Sequence, residues 1–208
     1  MNKHNNRYKA YLYIGLGFIA ILSFIVFIIK YVNNKSHPNS VKTAITIDTE
    51  EITIAELNYY VVSAMSYFTS YEASYNQQGY DLWNSNYQDD MTISEYIIQV
   101  SIEQAIRDSV LYQEAKAHNM TLTEDEVSSY QEQVAASWEE LTDLKKKNYS
   151  LTEPLVEAIY EKKALANKYY DSIIDAANLD YEKEYDKILS THTITKNDEM
   201  INTIIVGN

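Results

Sequence analysis

Thr53-Ile54-Ala55-Glu56-Leu57-Asn58-Tyr59-Tyr60-Val61-Val62-Ser63-Ala64-Met65-Ser66-Tyr67-Phe68 reads as a helix start followed by a helix body. A threonine three residues ahead of a glutamate fits the capping box: the hydroxyl accepts an orphan backbone N–H, and the glutamate reaches back to the cap. From there Ile54, Leu57, Val61, Ala64, Met65, Phe68, Tyr71 and Tyr75 recur at three- and four-residue steps, an apolar stripe along a helix over 54–77. The signature returns at Thr92-Ile93-Ser94-Glu95, Thr123-Glu124-Asp125-Glu126 and Ser150-Leu151-Thr152-Glu153. Four such starts, each ahead of an apolar-periodic stretch, predict four helices and a mainly all-α domain.

The second helix, over 93–118, carries Ile97, Val100, Ile98, Ile102, Ile106 and Val110 around its whole axis, so it should be central and covered on several sides. Asn119 follows where a left-handed cap would sit. The third helix, over 124–146, places Val127, Tyr130, Val134, Trp138 and Leu141 on one face and ends in Lys145-Lys146-Lys147, which suits the negative end of its dipole. The fourth, over 153–176, presents Leu155, Ile159, Ala166, Tyr169 and Ile173. Pro154 near its start is most comfortable if Thr152, rather than Ser150, is the cap. A fifth helix spans 180–191.

Before the first helix, Ala44-Ile45-Thr46-Ile47 favours a strand and Asp48-Thr49-Glu50-Glu51 a turn. Ile52 either closes a small hairpin or leads into the helix. In the tail, Thr193–Thr195 reads as extended, and 198–204 as a short helix or a further strand. An extended tail would pair with Ala44–Ile47, making a small sheet from the two ends of the domain. Residues 77–90 form the one sizeable loop.

Ahead of this domain, Tyr11 to Ile29 is 19 residues without a charge, rich in Ile, Phe and Leu. A helix of that length spans roughly the 30 Å hydrocarbon core of a bilayer. Lys3, Arg7 and Lys9 precede it and by the positive-inside rule hold the N-terminus in the cytoplasm. The run ends in Lys30-Tyr31-Val32-Asn33-Asn34-Lys35, which offers no small-x-small cleavage site, and the chain has no cysteine to acylate. The expected organisation is a cytoplasmic tail (1–10), a transmembrane signal anchor (11–29), a spacer (30–42) and an extracytoplasmic helical domain (43–208).

All 30 acidic residues lie from Asp48 onward. Beyond Lys30 they face 13 lysines and arginines, a net charge of −17. Such a domain repels nucleic acid and anionic lipid, so both are poor partners. Absence of cysteine removes disulfides, thiolate metal sites and thiol catalysis together.

Little else in the chain points to chemistry. Glu114 and His118 stand four residues apart, a spacing that can hold two metal ligands on one helix face, but no third ligand accompanies them. His192 has no such partner in the sequence. Glu124-Asp125-Glu126 and Asp89-Asp90 lack the surrounding calcium-loop pattern. No Gly-x-Ser-x-Gly elbow or glycine-rich phosphate loop is present, and outside the apolar run the only glycines are Gly79 and Gly207. The expectation is no catalytic residue, no metal and no cofactor.

Tyrosine is conspicuous, 20 of 208 residues. It combines a large apolar contact with a polar tip at low entropy cost, which suits adaptable binding surfaces. The candidates for contact with a polypeptide client are Tyr60, Tyr67, Phe68, Tyr71 and Tyr75 on the first helix, with Trp83 and Tyr87 in the loop.

Three stretches together resemble the N-terminal chaperone domain of the SurA/PrsA-type extracytoplasmic foldases. Ile45–Tyr60 is similar to that family's strand, turn, Ile-Thr cap and first helix. Leu111–Glu126 resembles its central-helix end and the capped helix that follows, and Lys163–Tyr170 its next helix. Their order and spacing cover roughly 43–191. The chain departs from the pattern in having Asp48-Thr49 in place of the usual Asn-Gly turn and Asn119 in place of a glycine. The parvulin prolyl-isomerase domain that commonly follows is missing, since only Ala177-Asn178-Leu179 separates the fourth and fifth helices. The resemblance therefore implies a holdase-like module that binds unfolded or newly exported polypeptides without isomerase chemistry. The runner-up expectation is a helical interaction subunit that docks one folded envelope or secretion partner.

Overall fold

A computed structural model describes residues 42–88, 90–177 and 181–207. The proposed cytoplasmic tail, anchor and nearly all of the spacer lie outside these residues. Among the described residues no helix is long and apolar enough to cross a membrane.

The chain opens with a hairpin, β1 (Thr43–Ile47) and β2 (Glu50–Thr53), then α1 (Ile54–Gln77), a short hairpin of β3 (Asn86–Gln88) and β4 (Met91–Thr92), and α2 (Ile93–Ala117). After these come α3 (Glu124–Glu140), α4 (Asp143–Asn148), α5 (Glu153–Ala177), α6 (Tyr181–Leu189), β5 (Ile194–Lys196) and α7 (Asp198–Ile201). Helix dominates, and a three-stranded antiparallel sheet of order β2-β1-β5 joins the two ends of the domain. The tail thus pairs with Ala44–Ile47, and of its two readings beyond residue 198 the helical one holds.

The caps decide where most helices begin. Thr92 and Thr123 close full capping boxes: each hydroxyl accepts from the glutamate N–H (3.2 and 3.3 Å), and each glutamate carboxylate accepts the threonine N–H (2.7 and 2.6 Å). A cap of this kind is worth about 1 kcal/mol. The Thr53 hydroxyl takes the Glu56 N–H at 3.1 Å, but Glu56 turns away to Lys162 of α5, 2.7 Å off.

The Ser150 box does not form. Ser150 sits at φ 56, and its N–H and that of Leu151 bond back to Lys147 and Lys146, so it ends α4 instead of starting α5. Thr152 does the capping, its hydroxyl 3.4 Å from the Leu155 N–H. Gly79 and Asn119 close α1 and α2 with the same left-handed residue and backward bonds. The expected third helix is in fact two, because Leu141 leaves helical geometry (ψ 122) and Thr142 caps a new start.

The core lies where α2 meets α1 and α5, with α3 laid against α5. Leu57 and Val61 of α1, Ile97 and Val110 of α2, and Val156 and Ile159 of α5 are all buried, each worth roughly 1.5–3 kcal/mol. Ile45, Ile47 and Ile52 bring the sheet onto the same core. Leu111 and Ala115 pack with Leu165, Ala166 and Tyr169 in a smaller cluster at the far end of α2. The all-round apolar pattern of α2 thus has its expected consequence.

The β1–β2 hairpin turns tightly through Asp48-Thr49 despite lacking Asn-Gly. Asp48 takes φ 54, and its carboxylate accepts the Thr193 N–H at 2.8 Å and meets His192 Nδ1 at 2.7 Å. Contact with the far end of the chain holds a conformation that local sequence favours only weakly.

Candidate functional site

α1 is buried through Met65, and then its side chains emerge. Tyr67 is 81 % exposed and Tyr71 58 %, with Tyr80 (64 %) just past the helix and Tyr87 (43 %) on β3. They account for four of the six large apolar side chains left exposed among the described residues, and all belong to this end of the domain. Phe68 anchors the face. Its ring meets Tyr87 edge-on at 5.3 Å and Tyr96 of α2 at 6.3 Å, and Tyr87 lies on Tyr96 at 4.6 Å. Aromatic pairs of this geometry are worth about 0.5–1.5 kcal/mol each beyond area burial, so they fix β3 against the helices while leaving the outer rings in solvent.

Of the sequence candidates, Tyr67, Phe68, Tyr71 and Tyr87 come together here, with half-buried Tyr75 further along the same helix. Two do not belong. Tyr60 is buried, and its hydroxyl donates to Asp108 Oδ2 at 3.1 Å. Trp83 is also buried, its Nε1–H donating to Glu72 Oε1 at 3.2 Å, so it fastens the loop to α1 instead of meeting solvent. Tyr80 and Tyr96 were not among the candidates. Tyr96 carries no signal in its own helix, since only the fold sets it beside β3.

The interior of the domain holds charge. Lys162 of α5 reaches Glu56 of α1 (2.7 Å), Glu50 of β2 (3.1 Å) and the Ser109 hydroxyl of α2 (3.2 Å), tying four elements to one ammonium. Burial pushes the Glu56 carboxyl up, with Lys162 pulling the other way. Burial also works against the Lys162 charge, yet Glu56 and Glu50 more than offset it and hold the lysine above its ordinary value. Asp108 accepts from Tyr60, Gln104 (2.7 Å) and Arg107 (3.2 Å), and burial raises it as well.

Three surface carboxylates go the other way. Asp48 is held low by the Thr193 N–H and His192, Glu95 by the Thr92 N–H, and Glu126 by Lys168 and the Thr123 N–H. A raised carboxyl gives stability that is complete below its unfolded value and lost as pH rises through the folded one, and a lowered carboxyl does the reverse. Stability should therefore rise on acidification from neutrality as Glu56 and Asp108 take up protons. It should fall again below the ordinary values of 4.5 and 3.8 as Glu126, Glu95 and Asp48 are neutralised. Denaturant midpoints from pH 7.5 to 2.5 should trace this maximum, and Glu56→Gln with Asp108→Asn should remove its rising limb.

His192, without a partner in the sequence, has two in the fold: Asp48 at Nδ1 and Glu114 Oε1 at Nε2 (3.2 Å). Glu114 also accepts the Tyr169 hydroxyl at 3.3 Å, while His118 Nδ1 meets the Glu114 backbone carbonyl at 2.8 Å. The Glu114 carboxylate thus joins a clamp between α2, the hairpin and the tail, while His118 contacts only the end of its own helix. Among the described residues no three acidic or histidine side chains converge as metal ligands.

Fold and surface together define a mainly helical domain, closed by a small terminal sheet, with an exposed tyrosine-rich face. No known protein-family model, curated protein or solved structure matches this chain.

Proposed function

We propose that this chain is a membrane-anchored extracytoplasmic chaperone that holds unfolded or newly exported polypeptides without catalysing a reaction on them. The observation carrying this reading is the aromatic face of Tyr67, Tyr71, Tyr80 and Tyr87, which holds four of the six large apolar side chains exposed among the described residues, the others being Leu144 and Ile205. Tyrosine contacts a client through its ring and keeps water at its hydroxyl, so capture stays reversible and tolerant of sequence. The strongly acidic remainder keeps a loaded complex soluble. Tyr11–Ile29 supplies the anchor and the basic N-terminus the orientation. The resemblance of Ile45–Tyr60, Leu111–Glu126 and Lys163–Tyr170 to the SurA/PrsA-type chaperone domain supports the same reading.

Soluble 43–208, mixed with several unrelated denatured proteins, should suppress aggregation of all of them. The double variant Tyr67→Ser, Tyr71→Ser should bind clients about thirtyfold more weakly, because each of the two aromatic anchors contributes about 1 kcal/mol. Its thermal stability should not change, since both rings face solvent. Full activity in the double variant would remove the aromatic face from the reading. No suppression by the unmodified domain, together with capture of one folded partner, would replace the chaperone with a scaffold. Turnover of a prolyl peptide would contradict the absence of catalysis.

A further inference from the structure

Among the described residues β5 is an edge strand, paired with β1 on its inner edge only. Asp48 N–H donates to Thr193 O and Asn197 N–H to Ala44 O, both at 2.8 Å, and Thr195 lies opposite Thr46. Bonded pairs in an antiparallel ladder recur at every second residue, so Thr193, Thr195 and Asn197 face β1. The N–H and C=O of Ile194 and Lys196 therefore point off the sheet. Two donors and two acceptors at that period form a template for one more strand.

The space beside that edge is a trough. Ile194 and Lys196 line a cavity of about 810 Å³ whose apolar walls are Val100 and Ile106 of α2 with Tyr185 and Leu189 of α6. A second cavity of about 540 Å³ shares Glu103 and Lys196 with the first and continues along α2 past Ile98 to Met91. From Glu95 to Arg107 the wall is about 18 Å long at 1.5 Å per residue. That length accepts about five residues of extended chain at about 3.3 Å each.

Charge selects the occupant. Asp90, Glu95, Glu103 and Glu182 line the two cavities, against Lys196 and Arg107. Arg107 is already paired with Asp108 at 3.2 Å and stands over the Tyr170 ring. A second copy of this chain, itself at −13, would bring anions to an anionic trough.

We propose that the free edge of β5 and the trough along α2 bind an extended, cationic polypeptide segment of about five residues, which joins the sheet as a fourth strand beside β5. Its inward side chains are apolar and rest on Val100, Ile106, Tyr185 and Leu189, while its lysines or arginines meet Glu103 and Glu182. The lining of this site includes none of Tyr67, Tyr71, Tyr80 and Tyr87, and the inference does not depend on the chaperone reading.

The test uses the full 208-residue chain in detergent solution and a labelled heptapeptide of alternating lysine and valine, followed by fluorescence anisotropy and amide exchange. Binding should slow exchange at the Ile194 and Lys196 amides. The same peptide N-methylated on alternate residues should bind about tenfold more weakly through loss of its main-chain bonds, and a glutamate-valine version weaker still. Lys196→Pro removes one outward N–H, and an edge strand tolerates proline whose missing N–H faced solvent. That variant should lose binding while Lys196→Ala, which keeps the N–H, retains most of it. Equal affinity for the N-methylated or the acidic peptide overturns the proposal, as does absence of binding. Sedimentation showing a dimer that Lys196→Pro dissociates would assign the edge to a second copy instead. The N-methylated peptide decides the matter even if Lys196→Pro fails to fold, and the Tyr67→Ser, Tyr71→Ser variant should bind the heptapeptide normally.

Discussion

Lys162→Met is expected to lower the melting temperature of the domain by about 10 °C. The substitution keeps most of the side chain's volume and removes its charge, leaving Glu56 buried with no cation near it. Breaking a buried pair by deleting one partner costs about 3–5 kcal/mol, and a domain of this size loses roughly 2–4 °C per kcal/mol. Glu50 is better placed to turn to water, so most of the deficit belongs to Glu56. The pH dependence separates this cause from lost packing. Without Lys162 the Glu56 carboxyl sits higher still, so the penalty is greatest at neutrality and shrinks as the carboxyl takes up a proton. Adding Glu56→Gln should recover most of the loss at pH 7. Differential scanning calorimetry at pH 7 and pH 5 is the measurement, and an equal deficit at both would show that the ammonium matters only through its stem.

Asp108→Ala should cost about 3 kcal/mol, and Asp108→Asn only about 1. Asp108 lies inside the core, where the Tyr60 hydroxyl has it as acceptor. Alanine strands that hydroxyl and leaves a gap, whereas Gln104 and Arg107 stand near enough to solvent to be rehydrated. Asparagine keeps an oxygen for Tyr60 and, being neutral, suits a site whose burial already disfavours charge. In a Tyr60→Phe background Asp108→Ala should cost less, because no donor is left behind, giving a coupling of about 1 kcal/mol in a double-mutant cycle. Additive losses in urea denaturation would mean that the Tyr60–Asp108 contact is not what makes Asp108 costly to remove.

Tyr60 and Tyr67 show the limit of reading this surface from sequence. They are seven residues apart, nearly two helical turns, and so share a face of α1. Periodicity treats them alike. One is buried and the other 81 % exposed because the rest of the domain covers only the first half of α1. Trp83 departs from the pattern for a related reason: the loop that holds it is polar by composition, but Glu72 on α1 gives its indole N–H a part-buried partner. Glu56 shows the same for caps, since the box pattern is satisfied in sequence and yet Lys162, 106 residues later, takes the carboxylate.

Local chemistry alone determined most of the helices, their starts at Thr53, Thr92, Thr123 and Thr152, and the central place of α2. Each follows from hydroxyls meeting orphan N–H groups a few residues away or from apolar side chains recurring at the helical period, forces that act within a turn or two. Only the tertiary structure decided which tyrosines face water, where Asp48 and His192 meet, that Glu56 and Asp108 are buried, and that β5 keeps a free edge. Those outcomes depend on which elements cover one another, and burial and ion pairing between distant segments leave no pattern in the order of residues along the chain.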